Sequence, residues 1–145
     1  MRYRFIDRVV SLELGDPAHI EVVKAFSAGD DALSGPAGPR RVPNSMILEL
    51  LAMTGGHLVF RRFNATRLPL LLKVPEARFE CSVRPGDALA ARATLIGVSD
   101  VAADAAVAEA RGEVLQGATL VAAGRLLYLC VRVPGIDLAV AGAAG

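Results

Sequence analysis

The sequence predicts an α+β domain in which an antiparallel sheet curls around one long helix. Three observations carry that reading. The run from Met46 to Phe60 is apolar on every helical face, and such a helix needs enclosure by other elements. Ala77, Phe79, Cys81 and Val83 alternate with Arg78, Glu80, Ser82 and Arg84, the period-two signature of a half-buried strand. The elements are also segregated, with a hairpin before the helix and a meander after it, which argues against alternating α/β order.

Taken in chain order, Phe5 to Leu14 and His19 to Ser27 are apolar or β-branched runs around Gly15-Asp16-Pro17, and they predict a hairpin. Residues 28–45 hold too much Gly and Pro for regular structure. The helix is expected over residues 45–62, capped at its start by Asn44 or Ser45 and closed near Asn64, a residue able to adopt the left-handed conformation. Strands are then expected at 77–84, 88–98, 107–115 and 119–133, with turns at Pro85-Gly86-Asp87 and Gln116-Gly117. The 145 residues suit one domain over residues 1–133, followed by an Ala- and Gly-rich tail, 134–145, expected to be loosely held.

Composition bounds the partners. The chain is 53% apolar and only 21% charged, more hydrophobic surface than a small monomer hides, so an oligomer is expected. A net charge of +1 argues against nucleic-acid binding. Cys81 and Cys130 fit no metal spacing and fall in alternating apolar patterns, so both are expected as buried reduced thiols; neither a metal nor a cofactor is expected. The first residues lack the apolar core of a signal peptide, and the central helix carries Glu49, two glycines and His57, so no membrane span and a cytoplasmic location are expected.

Glu49 is the lone carboxylate of the apolar helix. Such a group is either hydrogen-bonded to free amides near the helix start or poised as a functional acid with a raised pKa. His57 lies eight residues on, about 12 Å along the axis, too far to share a reacting carbon with Glu49 of the same subunit. It reads either as a helix-end histidine bonded to backbone or solvent, or as a catalytic group acting across a dimer. Gly55-Gly56 costs about 1 kcal/mol of helix propensity per Gly, which close approach of a neighbouring helix or room for a substrate would each explain. Arg61, Arg62, Arg67, Lys73 and Arg78 stand against Glu76 alone, either an ordinary solvated surface or a patch that steers an acidic partner.

Arg4-Phe5-Ile6-Asp7-Arg8-Val9, the Gly-Pro loop running through Val42-Pro43 into Ile47-Leu48-Glu49-Leu50-Leu51-Ala52, and Val83-Arg84-Pro85-Gly86-Asp87-Ala88-Leu89 together resemble the FabZ-like 3-hydroxyacyl-(acyl-carrier-protein) dehydratases of the hot-dog fold. The resemblance covers residues 3–131. It implies a long helix wrapped by an antiparallel sheet, homodimers joined edge to edge and often assembled into hexamers, and acyl thioesters on acyl carrier protein or coenzyme A as substrates. It also implies that Glu49 is the helix carboxylate of the catalytic pair, that Pro36, Val42, Met53 and Gly56 border the acyl chain, and that the five basic residues dock the carrier. The family's loop reads Gly-His-Phe-Pro-Gly-x-Pro-x-x-Pro-Gly, and its His is the base. Here Gly35 to Ser45 contains no histidine, and Met53 stands where many relatives have Gln.

Three functions follow: a dehydratase with an altered base, a hot-dog thioesterase using Glu49, or a non-catalytic acyl-binding partner subunit. The missing His favours the second and third, whereas the three motifs favour descent from the first.

Overall fold

The computed structural model describes residues 6–27 and 41–132. Strands β1 (Arg8–Glu13) and β2 (His19–Lys24) form the hairpin, helix α1 spans Asn44–Arg62, and β3 (Leu68–Phe79), β4 (Leu89–Ala102), β5 (Ala105–Gln116) and β6 (Thr119–Val131) follow. All pairings are antiparallel, in the order β1-β2-β4-β5-β6-β3. The expected Gly-Pro loop and the C-terminal tail lie almost wholly outside the described residues.

The helix sits on the sheet because bulk on one side meets small residues on the other. From α1, Ile47, Leu50, Leu51, Leu58 and Val59 are buried; from β5, Ala106, Ala108 and Ala110 are buried opposite them. Gly112 completes that row, and a Cβ there would press on Leu51. Each fully buried Leu, Ile or Val contributes about 1.5–3 kcal/mol, so this layer dominates the stability of the fold. The convex face is solvated and carries cross-strand ion pairs, with Arg92 reaching Glu21 at 2.9 Å and Glu113 at 3.8 Å, and Arg125 reaching Glu109 at 2.6 Å. No helix among the described residues is long and apolar enough to cross a membrane.

Several expectations need correction. The helix is preceded by Pro43, and neither Asn44 nor Ser45 caps it with a side chain; the amides of Met46 and Ile47 donate instead to the Pro43 carbonyl. At the other end Asn64 is left-handed as expected, and Ala65 joins it. The strand expected at 77–84 starts at Leu68 and ends at Phe79. Pro69 and Pro75 disguised its first half, but proline is tolerated on a strand that lacks a neighbour on one side, and β3 is an edge. The expected inward set is exposed along this edge in the single subunit: Ala77, Phe79 and Cys81 all face solvent, Val83 alone of the four is buried, and only Cys130 is a buried thiol.

Candidate functional site

The helix is not enclosed on all sides within one subunit. Its buried face takes Ile47, Leu50, Leu51, Thr54, Gly55, Leu58 and Val59, and the residues between them leave a second stripe. Glu49, Met53, Gly56, His57 and Phe60 recur at helical spacing along it and face a cavity of about 490 Å³. Leu68, Pro69 and Leu71 of β3 form the opposite wall, and Ala52, Tyr128 and Ile6 complete the lining. This size suits a small organic ligand.

Glu49 is the sixth residue of α1, past the first turn, and is exposed in the single subunit. Among the described residues its carboxylate makes no hydrogen bond or ion pair, the helix-start amides included. His57 is half-buried, and its pKa is pushed below the ordinary value first by burial and then by the neighbouring Arg61 charge. The imidazole is therefore neutral at physiological pH, with one nitrogen donating and one accepting. It has no side-chain hydrogen-bond partner among the described residues.

Tyr128 was not singled out by sequence reasoning, although its place in the inward alternation of β6 was readable. It is 2% exposed, and its hydroxyl donates to the Ala52 carbonyl at 2.7 Å. Burial pushes the phenol well above its ordinary pKa, opposed by a hydrogen bond from the Gly56 backbone, so it stays protonated. Tyr128 also explains Gly55: a Cβ there would collide with the phenol oxygen, while one at Gly56 would meet the ring at an ordinary 3.6 Å. The close approach is thus by a strand side chain of the same subunit. Gly55→Ala should destabilise by about 1–3 kcal/mol through overpacking, whereas Gly56→Ala should be neutral or gain up to about 1 kcal/mol from helix propensity. Urea denaturation of the two variants checks the contrast; equal effects would refute it.

The remaining expected site residues divide. Met53 and Gly56 line the cavity. Val42 does not: it is 3% exposed in the core, its amide donating to the Val83 carbonyl at 2.6 Å. Pro36 lies outside the described residues. The basic residues do not converge. Arg61 and Arg62 are exposed on the last helical turn, Lys73 is exposed on β3, and Arg78 lies 3.6 Å from Glu76 near the far end of that strand, about 30 Å from its start. Arg67 is turned inward, 16% exposed, over the Phe63 ring and 4.0 Å from Asp100, so it offers little to a carrier.

No protein-family model matches the chain. A 3-hydroxyacyl-(acyl-carrier-protein) dehydratase FabZ of Thioalkalivibrio sulfidiphilus is 33% identical over 135 residues, which cover 86% of this chain and 89% of the relative. Among solved structures, a phenylacetic acid degradation-related protein of Ralstonia eutropha superposes with a TM-score of 0.65 at 20% identity, covering 84% of this chain and 83% of its own. A thioesterase of Haemophilus influenzae gives 0.61 at 16%, covering 83% and 76%. These two likenesses bear on the fold alone. With a six-stranded antiparallel sheet around one helix, three motifs in order and this identity over nearly the whole relative, the chain belongs to the FabZ 3-hydroxyacyl-(acyl-carrier-protein) dehydratase family and has the hot-dog fold.

Proposed function

We propose that the α1–β3 cavity holds an acyl thioester, carried by acyl carrier protein or coenzyme A, with Glu49 as its catalytic acid. The observation that supports this most is a carboxylate with no partner among the described residues at the edge of a mostly apolar cavity. A second copy of the chain pairs along the free edge of β3, continues the sheet and covers the cavity. That pairing accounts for Leu70, Leu71 and Leu72, exposed by 45%, 45% and 55% on the edge strand, and for the open helical stripe.

Dehydration of a 3-hydroxyacyl thioester breaks the α-C–H and β-C–O bonds; a base takes the α-proton and an acid protonates the departing hydroxyl. Glu49 is assigned the second task. Among the described residues the first has no local candidate: besides the engaged Tyr128, the other ionisable group lining the cavity is His57, about 12 Å along the helix. Loss of a general base costs about 10²- to 10⁴-fold, so dehydration by this chain alone is slow. The lone carboxylate favours a second reading, hydrolysis. There Glu49 takes a proton from water as the water oxygen attacks the thioester carbon, and returns it to sulfur as the C–S bond breaks, giving the carboxylic acid and the thiol.

Crotonyl and 3-hydroxybutyryl thioesters, followed for both interconversion and thiol release, separate these reactions. Interconversion slower than a complete pair by the stated factor supports the first reading, and thiol release as the larger signal supports the second. Interconversion at about 1 to 10³ per second, typical of enzymes, would overturn the account of the missing base. Tight binding with neither reaction leaves the acyl-binding partner subunit.

A further inference from the structure

We infer that His57 reads the far end of the acyl chain, selecting a tail that carries a hydrogen-bonding oxygen about 12 Å from the thioester carbon. The inference rests on the reading of Glu49 as the group at the thioester. Both residues border one continuous cavity and lie on one helical stripe, so a chain whose reacting carbon meets Glu49 runs past Met53 and Gly56 towards His57. Everything it passes on the way is apolar or already satisfied, since the Tyr128 hydroxyl is committed to Ala52. At His57 the wall changes character. A half-buried imidazole beside Phe60 and Leu68, with no side-chain hydrogen-bond partner among the described residues, gains nothing from a plain alkyl tail, which strips its water and returns no hydrogen bond.

A hydroxyl or carbonyl on the tail restores that bond, because a neutral imidazole both donates and accepts. The distance excludes the 3-hydroxyl of the substrate from this role, since that group lies beside the reacting carbon. The residue is therefore a specificity determinant and takes no part in the proton transfers.

Calorimetric binding of decanoyl and ω-hydroxydecanoyl coenzyme A tests this in the intact protein. The unmodified chain should prefer the hydroxylated tail by about three- to tenfold. His57→Leu should abolish or invert the preference, chiefly by tightening the plain chain; His57→Gln, which keeps a donor and an acceptor, should retain part of it. Glu49→Gln should leave the preference as it is. An unmodified protein that binds both chains equally overturns the inference, as does a His57→Leu variant that keeps the preference or weakens both chains alike. If neither thioester binds to the unmodified protein, the acyl-site reading falls and takes this inference with it.

Discussion

Glu49→Gln should lower any thioester turnover by about 10²- to 10⁴-fold while shifting stability by less than about 0.5 kcal/mol. The two effects separate because the carboxylate is exposed and makes no hydrogen bond or ion pair among the described residues, so the fold does not lean on it. Glutamine keeps the shape and an acceptor oxygen but cannot shuttle a proton. Steady-state kinetics and thermal melting of the same preparation make the comparison. A variant that melts several degrees lower yet keeps its turnover would show a structural carboxylate and remove the catalytic assignment.

Leu72→Asp should turn a dimer into monomers and raise the dissociation constant at least about a hundredfold. Leu72 is 55% exposed on the edge strand and does not line the cavity, so the single subunit loses little by the change. In a paired edge the new carboxylate would be desolvated twice, once per subunit, without a partner. Light scattering should give twice the 15.2 kDa subunit mass for the unmodified chain and the single mass for the variant. Turnover should fall with it, because the cavity loses its cover. Monomers of the unmodified chain at micromolar concentration would refute the edge pairing.

Much of the fold was legible because its signals are local. The helix was readable from its unbroken apolar run, and β4 to β6 from their alternation and turns. Strand β3 was only half legible: Pro69 and Pro75 argue against a central strand, and only the topology reveals that an edge tolerates them. The site followed the same division. Glu49 and His57 stood out as polar residues of an apolar helix, Met53 and Gly56 came from the resemblance, and all four line one cavity. Val42 and Arg67 did not belong with it, because an apolar or basic residue does not announce in sequence whether it points to core or surface. The reason for Gly55 was hidden in a residue 73 positions away, since Tyr128 meets it only through the sheet. Cys81 misled because alternation marks a strand without saying whether its apolar face is covered, and along this edge Ala77, Phe79 and Cys81 are all exposed in the single subunit.

The row of alanines on β5 decides where this protein is able to diversify. With Ala106, Ala108 and Ala110 already minimal and Gly112 pressed by Leu51, the β5 side of the inner layer has no side chain left to shorten, and room within the fold can come only from the bulky residues of α1. On the proposed acyl site, Met53 and Phe60 are the side chains of the helix that face the cavity and would limit the length of a tail there. Engineering a longer-chain variant becomes a matter of trimming those two positions, while the interior is left untouched.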